Sequence, residues 1–243
     1  MSGHSKWANI KHRKEKSDAK KGKIFTKLGR ELAVAVKEGG PDPLNNTKLA
    51  DAIAKAKSNN MPNDSIERSI KKAAGNVNGA NYEDIIYEGY GPGGVALIVE
   101  AMTDNRNRTA ADIRHYFDKY GGNLGTTGCV SFMFSRKGQI IIEKTSDIDE
   151  DKLMLETIEA GAEDFAEEEG YFEIICEPQD FHVVRRSLSD KYEFVSSEIS
   201  MIPSTWTKIE DADTVALMEK LIDSLEDLDD VQNIYHNWDQ EEC

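Results

Sequence analysis

The residues of this sequence whose types and spacing suit a chemical task are cations. Lys6, Lys11, Arg13, Lys14, Lys16, Lys20, Lys21 and Lys23 fall within the first 23 positions, against only Glu15 and Asp18. Such side chains neutralise phosphates and release condensed counterions, so the task they point to is holding a polyanion rather than making or breaking bonds. Trp7 stands among them as a flat surface for stacking on a base or a ribose, and Asn9 and His12 can hydrogen-bond to phosphate or base edges. Trp7 also has a purely local reading, since it lies one helical turn from Ile10 and the two would dock together on a neighbouring core. Lys27 and Arg30 continue the basic series, and Arg68, Lys71 and Lys72 add a secondary set.

Other chemistries find little support. His4, His12, His115, His182 and His236 are scattered, with no partner at ligand spacing. Cys129, Cys176 and Cys243 are odd in number and far apart, so reduced structural thiols are expected rather than disulfides or a zinc site. GYGPGG lacks the lysine and hydroxyl of a phosphate loop and leads into another strand, which makes it a turn. The acidic runs DIDEDK, EDFAEEE and EDLDD have neither calcium-loop spacing nor adjoining histidines and read as solvated faces. Without a nucleophile elbow or a Cys/His pairing, no catalytic residue, metal or cofactor is expected, and the protein reads as a non-enzyme.

Charge divides the chain. Its 243 residues carry a net charge of −15, yet residues 1–80 are net +9 and the remainder net −24. A basic module joined to an acidic body implies a polyanionic partner for one end only. No apolar run approaches the length of a membrane span, and the basic N-terminus lacks the apolar core of a signal peptide, so a cytoplasmic protein is expected.

The elements that must position these cations follow from periodicity. Ile24, Leu28, Leu32 and Val36 recur every four residues, predicting an amphipathic helix that GGPDP ends. A second helix is expected from Asn46 or Thr47 to Ser58. After NNMP comes a third, with Asp64 and Glu67 as its capping pair and Gly75 as its stop. The second and third together have the outline of a helix-turn-helix, an outline that any short αα-hairpin shares.

Beyond the Gly/Asn-rich stretch GNVNGAN the period changes to that of strands. YEDIIYEGY and GGVALIVEAM predict a strand pair, followed by a helix over 106–119 capped by Asp104 or Asn105 and carrying Arg106 and Arg108 in its first turns. These two arginines either pair with the acidic body or extend the polyanion contact. GGNLGTTGC has the composition of an exposed connection that could approach an RNA backbone closely, and CVSFMF is expected as a strand.

GQIIIEK, a helix at 149–160, GAEDFAEEE, YFEIICEP, a helix at 178–188 and YEFVSSEISMIP then give the order β-α-β-β-α-β, the ferredoxin-like arrangement. A helix at 211–225 and the strand VQNIYHNW close the chain. The reading is an α+β protein of three domains: a basic helical domain with its arm over 1–75, a discontinuous α/β domain over 81–134 plus 205–240, and an acidic ferredoxin-like domain over 135–204 inserted within it.

The blocks GHSKWANIKHRKEKSDAKKGKIF, NNMPNDSIERSIKKAAG and YEGYGPGGVALIVEAMTDNRNRTAADIRHYFDKYGGNLGTTGCVSFMF resemble the bacterial YebC/PmpR family, which includes the mitochondrial translational activator of cytochrome c oxidase. The resemblance spans nearly the whole chain and is loosest over about 140–200 and the tail DQEEC. It implies a three-domain fold and a non-enzymatic role in gene expression, conventionally DNA-binding transcriptional regulation. The mitochondrial relative and the ribosome-associated look of bacterial members imply instead binding to rRNA or tRNA and relief of stalling on proline-rich stretches. The partner implied is therefore DNA, or ribosomal RNA and the ribosome, through Lys6, Trp7, Lys11, His12, Arg13, Lys14, Lys20, Lys21, Lys23, Lys27 and Arg30. Neither a membrane nor a small-molecule substrate is implied.

Overall fold

The computed structural model describes residues 21–75 and 82–239. Three helices come first: α1 (Lys21–Gly39), α2 (Thr47–Ser58) and α3 (Asn63–Gly75). The four-residue stripe of α1 buries Leu28, Leu32 and Val36 against Leu49, Ala52 and Ala56 of α2 and Ile66 of α3. Asn46 fixes the bend between α1 and α2. Its Oδ1 accepts from the Leu49 amide at 3.1 Å, and its Nδ2 donates to the Ala35 and Gly40 carbonyls at 2.7 and 2.8 Å. One buried amide thus caps the start of one helix and satisfies the end of the other. At α3 the expected capping pair is corrected: the helix begins at Asn63, Asp64 lies inside its first turn, and the Pro62 carbonyl accepts from the Ser65 and Ile66 amides.

The next unit is a four-stranded antiparallel sheet in the order β3-β1-β2-β9, built from β1 (Glu83–Tyr90), β2 (Ala96–Thr103), β3 (Asn123–Leu124) and β9 (Val231–His236). β1 and β2 form a hairpin around a 3₁₀ turn at Pro92–Gly94, where Gly93 takes a φ of 70°. The helix α4 (Arg106–Lys119) and the last helix (Ala212–Glu226) cover one face, packing Ile113, Phe117, Met218, Leu221 and Leu225 on Leu97, Val99 and Ala101. The other face carries Ala96 and Ile98 and is closed by Val130, Phe134 and Met201.

Between β3 and β9 lies the second sheet, in the order β5-β6-β4-β7, all antiparallel: β4 (Phe134–Glu143), β5 (Asp164–Glu168), β6 (Tyr171–Cys176) and β7 (Phe194–Pro203). Helices α5 (Glu150–Glu159) and α6 (Phe181–Ser189) lie on one face over Ile140, Ile142, Phe172 and Ile174. This is the split βαβ topology of the ferredoxin-like fold. The helix at Ala212–Glu226 is thus α7. A short parallel pair, β8 (Thr207–Lys208) with β10 (Trp238–Asp239), ties the two passages of chain together.

The fold is therefore α+β: a helical N-terminal domain, then two α/β domains with the ferredoxin-like one inserted in the other. One expected element is absent. CVSFMF does not form a strand, because residues 131–133 make a 3₁₀ turn and β4 starts only at Phe134. The amides of Val130 and Ser131 are directed at the Glu88 carboxylate, which leaves them unable to join a ladder.

Candidate nucleic-acid interface

Lys6, Trp7, Lys11, His12, Arg13, Lys14, Lys16 and Lys20 lie outside the described residues, and Lys21 is placed only as the first residue of α1. The expectations for the arm, including the docking of Trp7 with Ile10, therefore fall on residues whose structure is not described. The cations that are described separate into two groups.

The first group turns onto the neighbouring domain, with Lys23 remaining half exposed. The Lys23 ammonium donates to the Asp227 carbonyl at 3.3 Å and pairs with its carboxylate at 3.4 Å. The Lys27 ammonium donates to the Glu226 carbonyl at 2.8 Å, and the Arg30 guanidinium donates to the Asp229 carbonyl at 2.9 Å and to Asp230 Oδ1 at 2.7 Å. These three side chains sit one helical turn apart on α1 and meet the C-terminal end of α7, at Glu226 and Asp227, and the turn that follows it, at Asp229 and Asp230. That helix end carries a partial negative charge and unsatisfied acceptors, which cations complement. Burial pushes the Lys27 ammonium down to about 8, although Glu226 and Asp229 pull the other way. Arg30 also stacks over the Tyr82 ring, 5.5 Å from its centroid. Residues expected to meet a polyanion are thus engaged within the molecule, holding the helical domain to the domain behind it.

Asp230 is the hub of this contact. Its Oδ2 accepts from Arg108 at 2.8 Å, from the Thr109 hydroxyl at 2.7 Å and from the Thr103 hydroxyl at 3.2 Å, while Oδ1 takes Arg30. Burial alone would raise its carboxyl, but the bonds from Arg108, Thr109 and Arg30 prevail and hold it at about 2. Arg108 also pairs with Asp104 one helical turn back, at 3.0 Å. A cleft lined by Arg30, Asp104, Arg108, Asp112, Asp229 and Asp230 opens above the hub.

For Arg108 the structure therefore shows ion pairing, whereas Arg106 is exposed at the start of α4. Asp230 also corrects the reading of EDLDD as a solvated face. Asp227 and Asp229 are exposed, but Asp230 is buried. A sign was present in the sequence, since EDLDD follows directly on a helix end and two arginines stand in an otherwise acidic domain.

The second group faces solvent. Arg68, Lys71 and Lys72 are exposed on α3, with Lys71 lightly paired to Glu67 at 3.4 Å and high exposure on both sides. An exposed pair of this kind contributes little and is easily exchanged for a phosphate. Beyond α1, the helical domain meets the ferredoxin-like domain where His182 of α6 stands 3.4 Å from Asp51 of α2.

A second carboxylate went unmarked in the sequence. Glu88, buried on β1, accepts from the amides of Gly128, Val130 and Ser131 at 2.8, 2.9 and 2.8 Å. Burial would raise its carboxyl, and these amide bonds more than offset that and lower it. The GGNLGTTGC connection is thereby wrapped around a charge. No local pattern of charge or period marks an isolated Glu within a strand for such a role.

Comparisons with known proteins agree with the fold. Residues 5–76 match the family model described as the TACO1/YebC protein N-terminal domain, and residues 82–238 match the TACO1/YebC second and third domain. A "Probable transcriptional regulatory protein" of Acetivibrio thermocellus is 65% identical over 239 residues, covering 98% of this chain and 99% of that one. Another of the same description, from Ruminiclostridium cellulolyticum, is 61% identical over 243 residues, covering 100% and 98%. The crystal structure of a conserved hypothetical protein from Aquifex aeolicus superposes with a TM-score of 0.81 at 44% identity, over 93% of both chains. With both family models matched end to end across its domains, the chain belongs to the TACO1/YebC family.

Proposed function

We propose that this protein is a nucleic-acid-binding regulator of gene expression, a DNA-binding transcriptional regulator that holds its target through the basic arm and the exposed face of the helical domain. The observation that carries this reading is the exposure of Arg68, Lys71 and Lys72 on α3, in the domain to which the eight cations of residues 1–23 are attached. α3 follows α2 through the short Asn59–Pro62 connection, the arrangement in which a recognition helix is presented to a groove. The relatives named as regulators of transcription support the same class. Among the described residues no helix is long and apolar enough to cross a membrane.

A second reading draws on a different observation. Lys23, Lys27 and Arg30 are engaged by the end of α7 and the turn into β9, which shortens the cationic strip that the described part of the helical domain offers to a duplex. A basic arm tracking structured RNA has no need of that strip, so a ribosome-associated factor that binds rRNA or tRNA and relieves stalling on proline-rich stretches fits the same cations.

The test is crosslinking in cells followed by sequencing of the bound nucleic acid, beside sedimentation of the lysate through a sucrose gradient. Discrete promoter DNA with the protein at the top of the gradient is the expected result for the first reading. Ribosomal RNA with co-sedimentation would overturn it in favour of the second.

A further inference from the structure

The turn at 131–133 displays an aromatic ring in a manner that the fold does not require. Val130 and Phe134 are buried, at 0% and 7% exposure, and between them Phe132 is 76% exposed. Two inward anchors thus hold an outward side chain between them. An exposed Phe contributes no core, yet its support is extensive. Glu88 takes three amides of the loop, its own carbonyl takes the Gly125 amide at 2.8 Å, and the Met133 amide closes the turn on the Val130 carbonyl at 2.9 Å. Glycine is required for this wrapping. A Cβ on Gly125 would stand 2.5 Å from the Cys129 sulfur, and Gly128 takes a φ of 90°.

Two further exposed aromatics come to the same end of the sheet. The Tyr90 hydroxyl donates to the Cys129 carbonyl at 3.2 Å, and Tyr90 is 37% exposed. The Met133 carbonyl accepts from the amide and hydroxyl of Ser204, at 2.8 and 3.0 Å, two residues before the 40% exposed Trp206. Thr126 and Thr127 are exposed beside them, and Arg136 is exposed two residues into β4.

The exposed rings are interspersed with polar groups: Phe132 and the part-exposed Tyr90 and Trp206 stand with Thr126, Thr127 and Arg136, all three exposed. A nucleobase needs only one ring face to lie on, hydroxyls for its edge, and a cation for the phosphate that follows. A paired base inside a duplex cannot reach such a ring, because both its faces are already stacked.

We propose that Phe132, on the loop fixed by Glu88, is a stacking platform for an unpaired base of a single-stranded nucleic-acid segment, a site built from residues other than those of the basic arm and α3. The proposal rests on the nucleic-acid reading above. It adds a contact selective for unpaired bases to contacts that only count phosphates.

Salt dependence separates the two kinds of contact, because stacking releases few counterions and phosphate contacts release many. The experiment is fluorescence anisotropy of the full chain with a labelled 12-nucleotide single-stranded RNA, the same sequence in DNA, and each as a duplex, across a salt series. Phe132→Ala is expected to weaken single-strand binding on the order of tenfold, to leave duplex binding and the slope against log salt unchanged, and to melt with the wild type. Phe132→Trp is expected to restore the loss. Unchanged single-strand affinity in Phe132→Ala, with the wild type binding well, overturns the platform and leaves the nucleic-acid reading standing. An equal loss on duplex and single strand also overturns it. No binding of the wild type to any of the four probes at low salt overturns both.

Discussion

At the scale of single residues, Asp230 shows how a carboxylate within an acidic run becomes structural. It lies beside the only described cations that reach it, Arg30 and Arg108, and beside two hydroxyls, so its charge is more favourable folded than unfolded. A carboxyl held at about 2 against an ordinary 3.8 contributes stability that is complete above about pH 4 and lost as pH falls towards 2. Because Arg108 is half exposed, that contribution is discounted to about 1–2 kcal/mol. Asp230→Asn is therefore expected to cost about 2–4 kcal/mol in urea melts at pH 7, since both arginines lose the carboxylate they share. The gap to the wild type should narrow between pH 4 and pH 2, and a constant gap would contradict the account. Lys27 behaves oppositely. Its burial penalises the ammonium, so Lys27→Met is expected to melt at or above the wild-type temperature at pH 7, and a drop of several degrees would show that its bond to Glu226 outweighs its desolvation.

At the scale of elements, the legible parts were those with a period. The four-residue stripe of α1 located its buried face, and the strand and helix alternation of the ferredoxin-like unit gave its topology, because local pattern and burial coincide there. CVSFMF failed for a physical reason. Its alternation suits a strand, but the partner that decides its conformation, Glu88, lies some 40 residues away and offers charge rather than a ladder. Asp230 was hidden in the same way, since its partners Arg30 and Arg108 come from distant segments. Glu88→Gln replaces a charged acceptor of three amides by a group with one oxygen. It is expected to cost about 2–3 kcal/mol, read by urea melts, and to raise hydrogen exchange at 125–133 while sparing β5 and β6. Unchanged exchange in the loop would mean that the glycines alone set its shape.

At the scale of the whole molecule, the division of charge in the sequence survives in three dimensions only in part, because three of the N-terminal cations are turned onto the acidic body they were expected to contrast with. Among the described residues of the helical domain, the face of α3 stays available to a polyanion, and Lys57 of α2 is exposed as well. The arm's share is measured by removing residues 1–20, which leaves α1 complete. The truncated protein is expected to keep its melting temperature and to lose affinity for nucleic acid steeply, with a salt slope shallower by about five phosphates or more; equal slopes would assign the binding elsewhere. The insertion of one domain within another also orders events in time. β2 is complete early in synthesis, but its partner β9 comes from the far side of the ferredoxin-like unit, and Asn237, whose side chain takes the Ala96 amide, is 141 residues further on. Asp230 arrives with β9. A chain still on the ribosome therefore carries α1 with its cations uncovered until residues 226–230 emerge, and closure of β9 is also the moment at which the helical domain is clasped.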